Sequence, residues 1–285
     1  MCLISFLTSH IIKIMCKVSN FLFNTNKTVT HIISIKTLKH TFIRLKVRNF
    51  AAYIKFLAKM NTNISYINWH TIDYKTALDK QTELFNGKVQ MKLDGKKDIE
   101  QDFIVCQHNN VYTLGLHGKD SNMLVSEAFL KKIDAQVFHT NRGGDITYHG
   151  HGQITGYPIL NIDEWNMGIR DYIDLIEQMV IDVMAQYNIS CQRVAGATGV
   201  WLDVGTKKER KICAIGVKCS RGITMHGFAL NVNTDLKYFS YINPCGFTDK
   251  GVTSMQQELN TELDLSEVAE KLYNRFVYLI NNYKK

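Results

Sequence analysis

From residue 60 onward the chain switches between two hydrophobic periods, and the switches mark its elements. Tyr74, Ala77, Leu78, Leu84 and Phe85 recur at helical spacing behind Asp73, and Gly87 stands where a helix C-terminus is expected, so a helix is predicted over 73–86. Short apolar runs at 103–106 and Val111–Leu114 predict strands, 125–133 a short helix, and 136–139 a lead into a glycine-rich stretch. Ile169, Tyr172, Ile173, Ile176, Met179, Val180, Val183, Met184 and Tyr187 fall on one face of a helix of about five turns, its methionines read as core filler. Residues 199–204 and 212–217 predict a hairpin with a polar tip at 205–210, and 223–232 a further strand. Asp264 with Glu267 three residues on is a capping-box arrangement, followed by a stripe of Val268, Leu272, Phe276, Leu279 and Ile280. Strands and helices mixed in this way, with no repeat and no Pro/Ser-rich linker, predict one α/β (α+β) domain over 60–285.

The densest local signal is residues 142–156, which hold five of the chain's 18 glycines. Glycine costs backbone entropy, so such clustering is explained where φ is positive or backbones approach closely. Ile146 and Tyr148, then Ile154, Tyr157 and Ile159, predict two short strands joined by a glycine turn, with Arg142, Asp145, Thr147, Tyr148, His149 and Gln153 among them. Two readings stand side by side: the backbone wall of a ligand pocket, or a plain glycine-rich hairpin.

Composition narrows the class. The chain is 45% hydrophobic and 21% charged, ordinary for a soluble globular protein. Its net charge of +8 comes from one end, because residues 1–59 contain ten Lys/Arg and no Asp or Glu. The remainder carries 24 basic against 26 acidic residues, so it has no global field to gather nucleic acid. Residues 1–59 are read as a basic extension outside the fold. Its apolar opening, 2–12, is too short to span a bilayer and lacks a basic leader, its composition leaves a transit-type segment open, and Met60 is an alternative start. Seven cysteines at irregular spacing do not form a disulfide framework, and reduced thiols in a cytoplasmic setting are the simpler reading.

The chemistry candidates are few. Cys245 stands in Asn243-Pro244-Cys245-Gly246, where Pro244 favours an extended Asn243 and Gly246 leaves the thiol unobstructed. Cys106 and Cys213 lie in apolar strand patterns, where an inert buried thiol is the default. A nucleophilic thiol needs a nearby cation or base, and Lys211, His149 and His226 are the candidates. No P-loop and no dinucleotide fingerprint is present, and His149-Gly150-His151 or Cys213 with Cys219 lack zinc-site spacing, so neither cofactor nor metal is expected.

Taken in order, the segments Val111-Tyr112-Thr113-Leu114-Gly115, Arg142-Gly143-Gly144-Asp145-Ile146-Thr147-Tyr148-His149-Gly150, Thr198-Gly199-Val200-Trp201, Lys211-Ile212-Cys213-Ala214-Ile215-Gly216, His226-Gly227-Phe228-Ala229-Leu230-Asn231 and Asn243-Pro244-Cys245-Gly246 resemble the octanoyltransferase family of protein lipoylation. The resemblance implies a mixed central β-sheet flanked by helices, as in lipoate and biotin protein ligase catalytic domains. It implies that Cys245 takes an octanoyl group from octanoyl-acyl carrier protein as a thioester, and that a lysine of a lipoyl domain then accepts it. The lipoyl domains of 2-oxoacid dehydrogenase complexes and the glycine cleavage H protein are the acceptors so implied. Lys211 matches the family's lysine beside the thiol. Arg142, Gly143, Gly144, Asp145, Ile146, Thr147, Tyr148 and His149, with Ala214, Ile215, Gly216, Gly227, Phe228 and Ala229, match its substrate channel. The sequence departs from the family at His151, where proline is usual, and at Asn109-Asn110 before Val111; the first is expected to loosen the turn and put a titratable ring near the site. Two other readings are weighed: an ATP-dependent lipoate ligase of the same fold, and a non-catalytic module that binds acyl groups or carrier proteins. Neither nucleic acid nor membrane is an expected partner. Arg142, Lys218 and Arg221 are candidate docking positions for an acidic carrier.

Overall fold

Strand β6 (Gln153–Ile159) is buried along its whole length, with partners on both edges. In the computed structural model, which describes residues 64–243 and 251–284, it lies inside the larger of two sheets. The order is β1 (Ile64–Thr71), β2 (Gln101–Gln107), β6, β10 (Ile223–Asn231), β9 (Arg210–Ser220), β8 (Ala197–Leu202), β7 (Gln192–Val194). Pairing is antiparallel except for β1 on β2 and for the two-residue β11 (Gly251–Val252), which runs parallel to β9 at Arg210 and Lys211. A second sheet sets β3 (Val111–Leu114) between β4 (Gln136–His139) and β5 (Ile146–His149).

The glycine-rich stretch is therefore not a hairpin. β5 pairs β3 in the small sheet, Val111 opposite His149 and Leu114 opposite Ile146. β6 already has β2 on one edge and β10 on the other, so β5 cannot add to it. The turn at 150–152 carries the chain from one sheet to the other.

Helix α1 (Tyr74–Leu93) starts as predicted, the Asp73 carboxylate accepting from the Thr76 amide at 2.9 Å. It does not stop at Gly87, which is exposed with nothing beside it to be disrupted. Tertiary contacts override the local stop signal: Lys88 is buried and pairs with buried Asp102 at 2.9 Å, while Val89 and Met91 pack against Ile104, Tyr157 and Met225 of the sheet. A short helix α2 (Glu127–Lys132) is capped by Ser126. On the opposite face of the large sheet, α3 (Ile169–Gln186) and, after the small α4 (Met255–Leu259), α5 (Leu265–Asn281) bury most of the predicted stripes in one core with Ile154, Phe228 and Leu230, while Ile169 at the start of α3 stays exposed. Asp264 caps α5 by accepting from Ser266 and Glu267, whereas the Glu267 side chain pairs with Lys271 at 2.6 Å instead of closing the box. Among the described residues no helix is long and apolar enough to cross a membrane. Cys106, Cys191, Cys213 and Cys219 are free thiols. Residues 1–63 and 244–250, and with them Cys245, Pro244 and Gly246, lie outside the described residues.

Candidate active site

The alternation of β6 decides which side chains meet across the gap between the sheets. Ile154 turns into the helical core, while Gln153, Thr155 and Tyr157 face a cavity of about 550 Å3. β10 and β9 supply the rest of that wall, with Gly227, Phe228, Ala229 and Asn231 from one and Lys211, Ala214, Ile215 and Gly216 from the other. The facing wall is the segment Arg142, Gly143, Gly144, Asp145, Ile146, Thr147 and His149. Two glycines set the spacing. A Cβ on Gly216 would stand 2.6 Å from the Gly143 carbonyl oxygen, so the two backbones approach this closely only because Gly216 carries no side chain. Gly199, at φ +124, lets the Lys211 stem lie flat against β8, with Nζ 4.4 Å from the centroid of the Trp201 ring.

One predicted lining residue falls elsewhere. Tyr148 alternates to the other side of β5, stacks on Tyr238 with centroids 4.7 Å apart, and donates to the Asn110 side chain at 2.7 Å. Asn110, one of the two departures from the family pattern, is thus the acceptor that holds Tyr148. The other departure, His151, is exposed in the crossover turn and does not line the cavity, so it adds no titratable ring there. Arg142 is unsuited to docking a carrier: it is buried, and its guanidinium donates to the carbonyls of Gly143 and Asp145 and to Oγ1 of Thr113. Lys218 lies over the Phe85 ring at 4.7 Å, and Arg221 is exposed in the β9–β10 turn.

Both candidate histidines are buried and hydrogen-bonded to other side chains. His149 bonds Oε1 of Gln153 through Nδ1 at 2.9 Å and Oγ1 of Thr113 through Nε2 at 3.2 Å. Nε2 of Gln153 faces the Tyr148 carbonyl at 3.0 Å, an acceptor without ambiguity, so its Oε1 must face His149. Nδ1 then carries the imidazole proton, and Nε2 accepts from Thr113. His226, at φ +60, is held by Asn141 at 2.8 Å. Burial pushes both rings down to about 3, helped for His149 by His108 and for His226 by Arg142. Burial likewise lowers His108 to about 4, where it touches Tyr157 at 2.7 Å.

These three rings make stability fall on acidification. Each pKa is lower in the folded state than the unfolded value near 6.5, so below that pH the unfolded chain binds protons that the folded chain refuses. The stability is fully present above pH 6.5 and declines toward pH 3–4. Each ring accounts for about 2 kcal/mol between pH 7 and pH 5. Urea titrations are expected to show unfolding free energy dropping by several kcal/mol over that interval; a flat profile would contradict neutral buried rings.

Sequence pattern alone does not single out Tyr74, Thr155, Tyr157, Trp201, Asn231 or Phe239, which all line the cavity. The period-2 alternation of 153, 155 and 157 was the available signal for three of the lining residues. Phe239 and Gly251, which stand before and after Cys245 in the chain, both line the cavity.

The sequence matches the family described as lipoyl protein ligase A/B catalytic domain over residues 73–277. It is 51% identical over 219 residues to a protein of Bacteroides thetaiotaomicron named octanoyltransferase, covering 77% of this chain and 96% of that one. An octanoyltransferase of Bacteroides fragilis is 54% identical over 205 residues, covering 72% and 92%. Among solved structures, a bipartite lipoate protein ligase from Thermoplasma acidophilum aligns with TM-score 0.57 at 13% identity, covering 78% of this chain and 86% of that one. A lipoate-protein ligase A bound with ATP aligns at 0.54 and 14%, covering 75% and 83%. At such identities these structures speak for the mixed-sheet fold alone.

Proposed function

Because the chain belongs to the lipoyl protein ligase A/B catalytic-domain family and is an acyltransferase of the octanoyltransferase kind, we propose that it moves an octanoyl group through a thioester on Cys245. The Cys245 thiolate attacks the thioester carbonyl of octanoyl-acyl carrier protein. A new carbon–sulfur bond forms as the carrier's carbon–sulfur bond breaks, and the departing thiolate takes up a proton. The lysine amine of a lipoyl domain then attacks the acyl-enzyme, forming the amide and returning the thiol. Exchange between two thioesters is close to thermoneutral, so no nucleotide is consumed. Lys211 as an ammonium favours the thiolate, and as an amine it relays the proton.

The observation that carries this reading is the lining of one cavity by Lys211, by the glycine wall, and by Phe239 and Gly251, which stand before and after Cys245 in the chain. The apolar side chains in its lining, among them Ile146, Ile173, Ile215 and Phe228, support an apolar chain. Identity to octanoyltransferases favours transfer over ATP-dependent ligation. Arg142–His149 and the β9 and β10 positions lining the cavity are the proposed substrate wall, without Tyr148. Residues 60–285 are the proposed catalytic unit, working in the cytoplasm on the lipoyl domains of 2-oxoacid dehydrogenase complexes and on H protein. The test mixes the full chain, and separately residues 60–285, with octanoyl-acyl carrier protein and then a lipoyl domain. Both forms are expected to gain one octanoyl mass and then hand it on. An acyl-enzyme that never forms, or transfer that requires ATP, would reject the route.

A further inference from the structure

The buried polar chain that fixes the His149 tautomer continues beyond the cavity wall. Arg142 donates to Thr113, Thr113 to His149, His149 to Gln153, and Gln153 to Oδ1 of Asn231 at 2.9 Å. The Asn231 amide is then oriented with Nδ2 toward the Thr253 carbonyl, at 3.0 Å. Every member is buried, and each donor in the chain faces an acceptor. The chain leaves the small sheet at β3 and β5, crosses the gap to β6 and β10, and ends on the residue after β11.

β11 needs such a tether. It is two residues long, Gly251 is exposed, and at its two ends Gly251 donates to the Glu209 carbonyl just before β9 and Thr253 donates to the Lys211 carbonyl, both at 2.9 Å. So short a strand has little pairing of its own to hold a register. Asn231 donates to the Thr253 carbonyl while the Thr253 amide donates to the Lys211 carbonyl, which holds the residue after the strand through both of its backbone polar groups. We propose that Asn231 is a positioning residue for acyl transfer: through Thr253 its amide holds β11 in register against Lys211, linking the glycine wall to the lysine across the cavity. This rests on the acyl-transfer reading above.

The test uses the full chain carrying Asn231→Ala and, separately, Asn231→Asp. The aspartate keeps the size of the side chain and its acceptor for Gln153 but removes the donor to Thr253, so it remains informative if the alanine variant folds poorly. Two readouts are taken. Amide hydrogen exchange in 251–254 is expected to speed up by about tenfold or more while β9 stays protected. In octanoyl transfer kcat is expected to fall by about tenfold to a hundredfold with KM for the acyl donor changed less than about twofold, the pattern of a misplaced group rather than a lost contact. Unchanged exchange at 251–254, or a raised KM with kcat retained, overturns the proposal. If the unaltered chain transfers no octanoyl group, the acyl-transfer reading fails, while the exchange measurement still reports on the tether.

Discussion

Cys245→Ala is expected to cut octanoyl transfer by at least about a thousandfold and to eliminate the octanoyl mass gain. The thiol splits the reaction into two displacements, each passing through one tetrahedral centre. Without it, the lipoyl-domain lysine would have to attack the donor thioester directly, with carrier and acceptor protein at the cavity together. Such a ternary arrangement loses the advantage of a tethered acyl group. Binding of the donor should survive, because β5, β6, β9 and β10 supply walls of the cavity that the substitution leaves intact. Intact-mass spectrometry of wild type and variant after incubation with octanoyl-acyl carrier protein reads the outcome. An octanoyl adduct that persists on the alanine variant would move the nucleophile elsewhere. Cys106 and Cys213 are poor substitutes, since burial raises both thiols far above the range in which a thiolate forms near neutral pH.

Lys211→Ala is expected to slow acyl-enzyme formation by about a hundredfold or more while the fold persists. Lys211 is half-buried at the start of β9, its Nζ over Trp201, and alanine there removes no core volume comparable to an apolar side chain. Its two proposed duties separate with Lys211→Arg. A guanidinium keeps the positive charge but cannot deprotonate, so it should preserve rapid alkylation of Cys245 while still failing to relay the proton. The alanine variant should instead shift the pH midpoint of Cys245 alkylation upward, because removing a cation disfavours the thiolate. Wild-type rates in both variants would take Lys211 out of the mechanism.

The helical stripes of α3 and α5 and the strands β3, β9 and β10 were readable because local periodicity and burial agree there. Gly87 shows the limit of such signals. Read locally it ends a helix, yet buried Lys88 and its ion pair with Asp102, on a strand far away in sequence, carry α1 another turn and more. β1 and β7 were not visible, since β1 mixes exposed and buried positions and β7 is three residues long.

For the site, residue types and their order along the chain pointed to the glycine segment and to Lys211, which the fold brings to one cavity, while Cys245 lies outside the described residues. Which side chains face one another was decided by the sheets. Strand alternation sent Tyr148 away from the cavity and brought Gln153, Thr155 and Tyr157 into it. Pairing of β6 on both edges turned an apparent hairpin into a crossover between two sheets. Burial lowers the pKa of His149 and His226, and their hydrogen bonds tie them to Gln153, Thr113 and Asn141. Local sequence carries periodicity and chemistry; burial, strand partners and hydrogen-bond direction arise only when distant segments pack, and those chose the working face of the site.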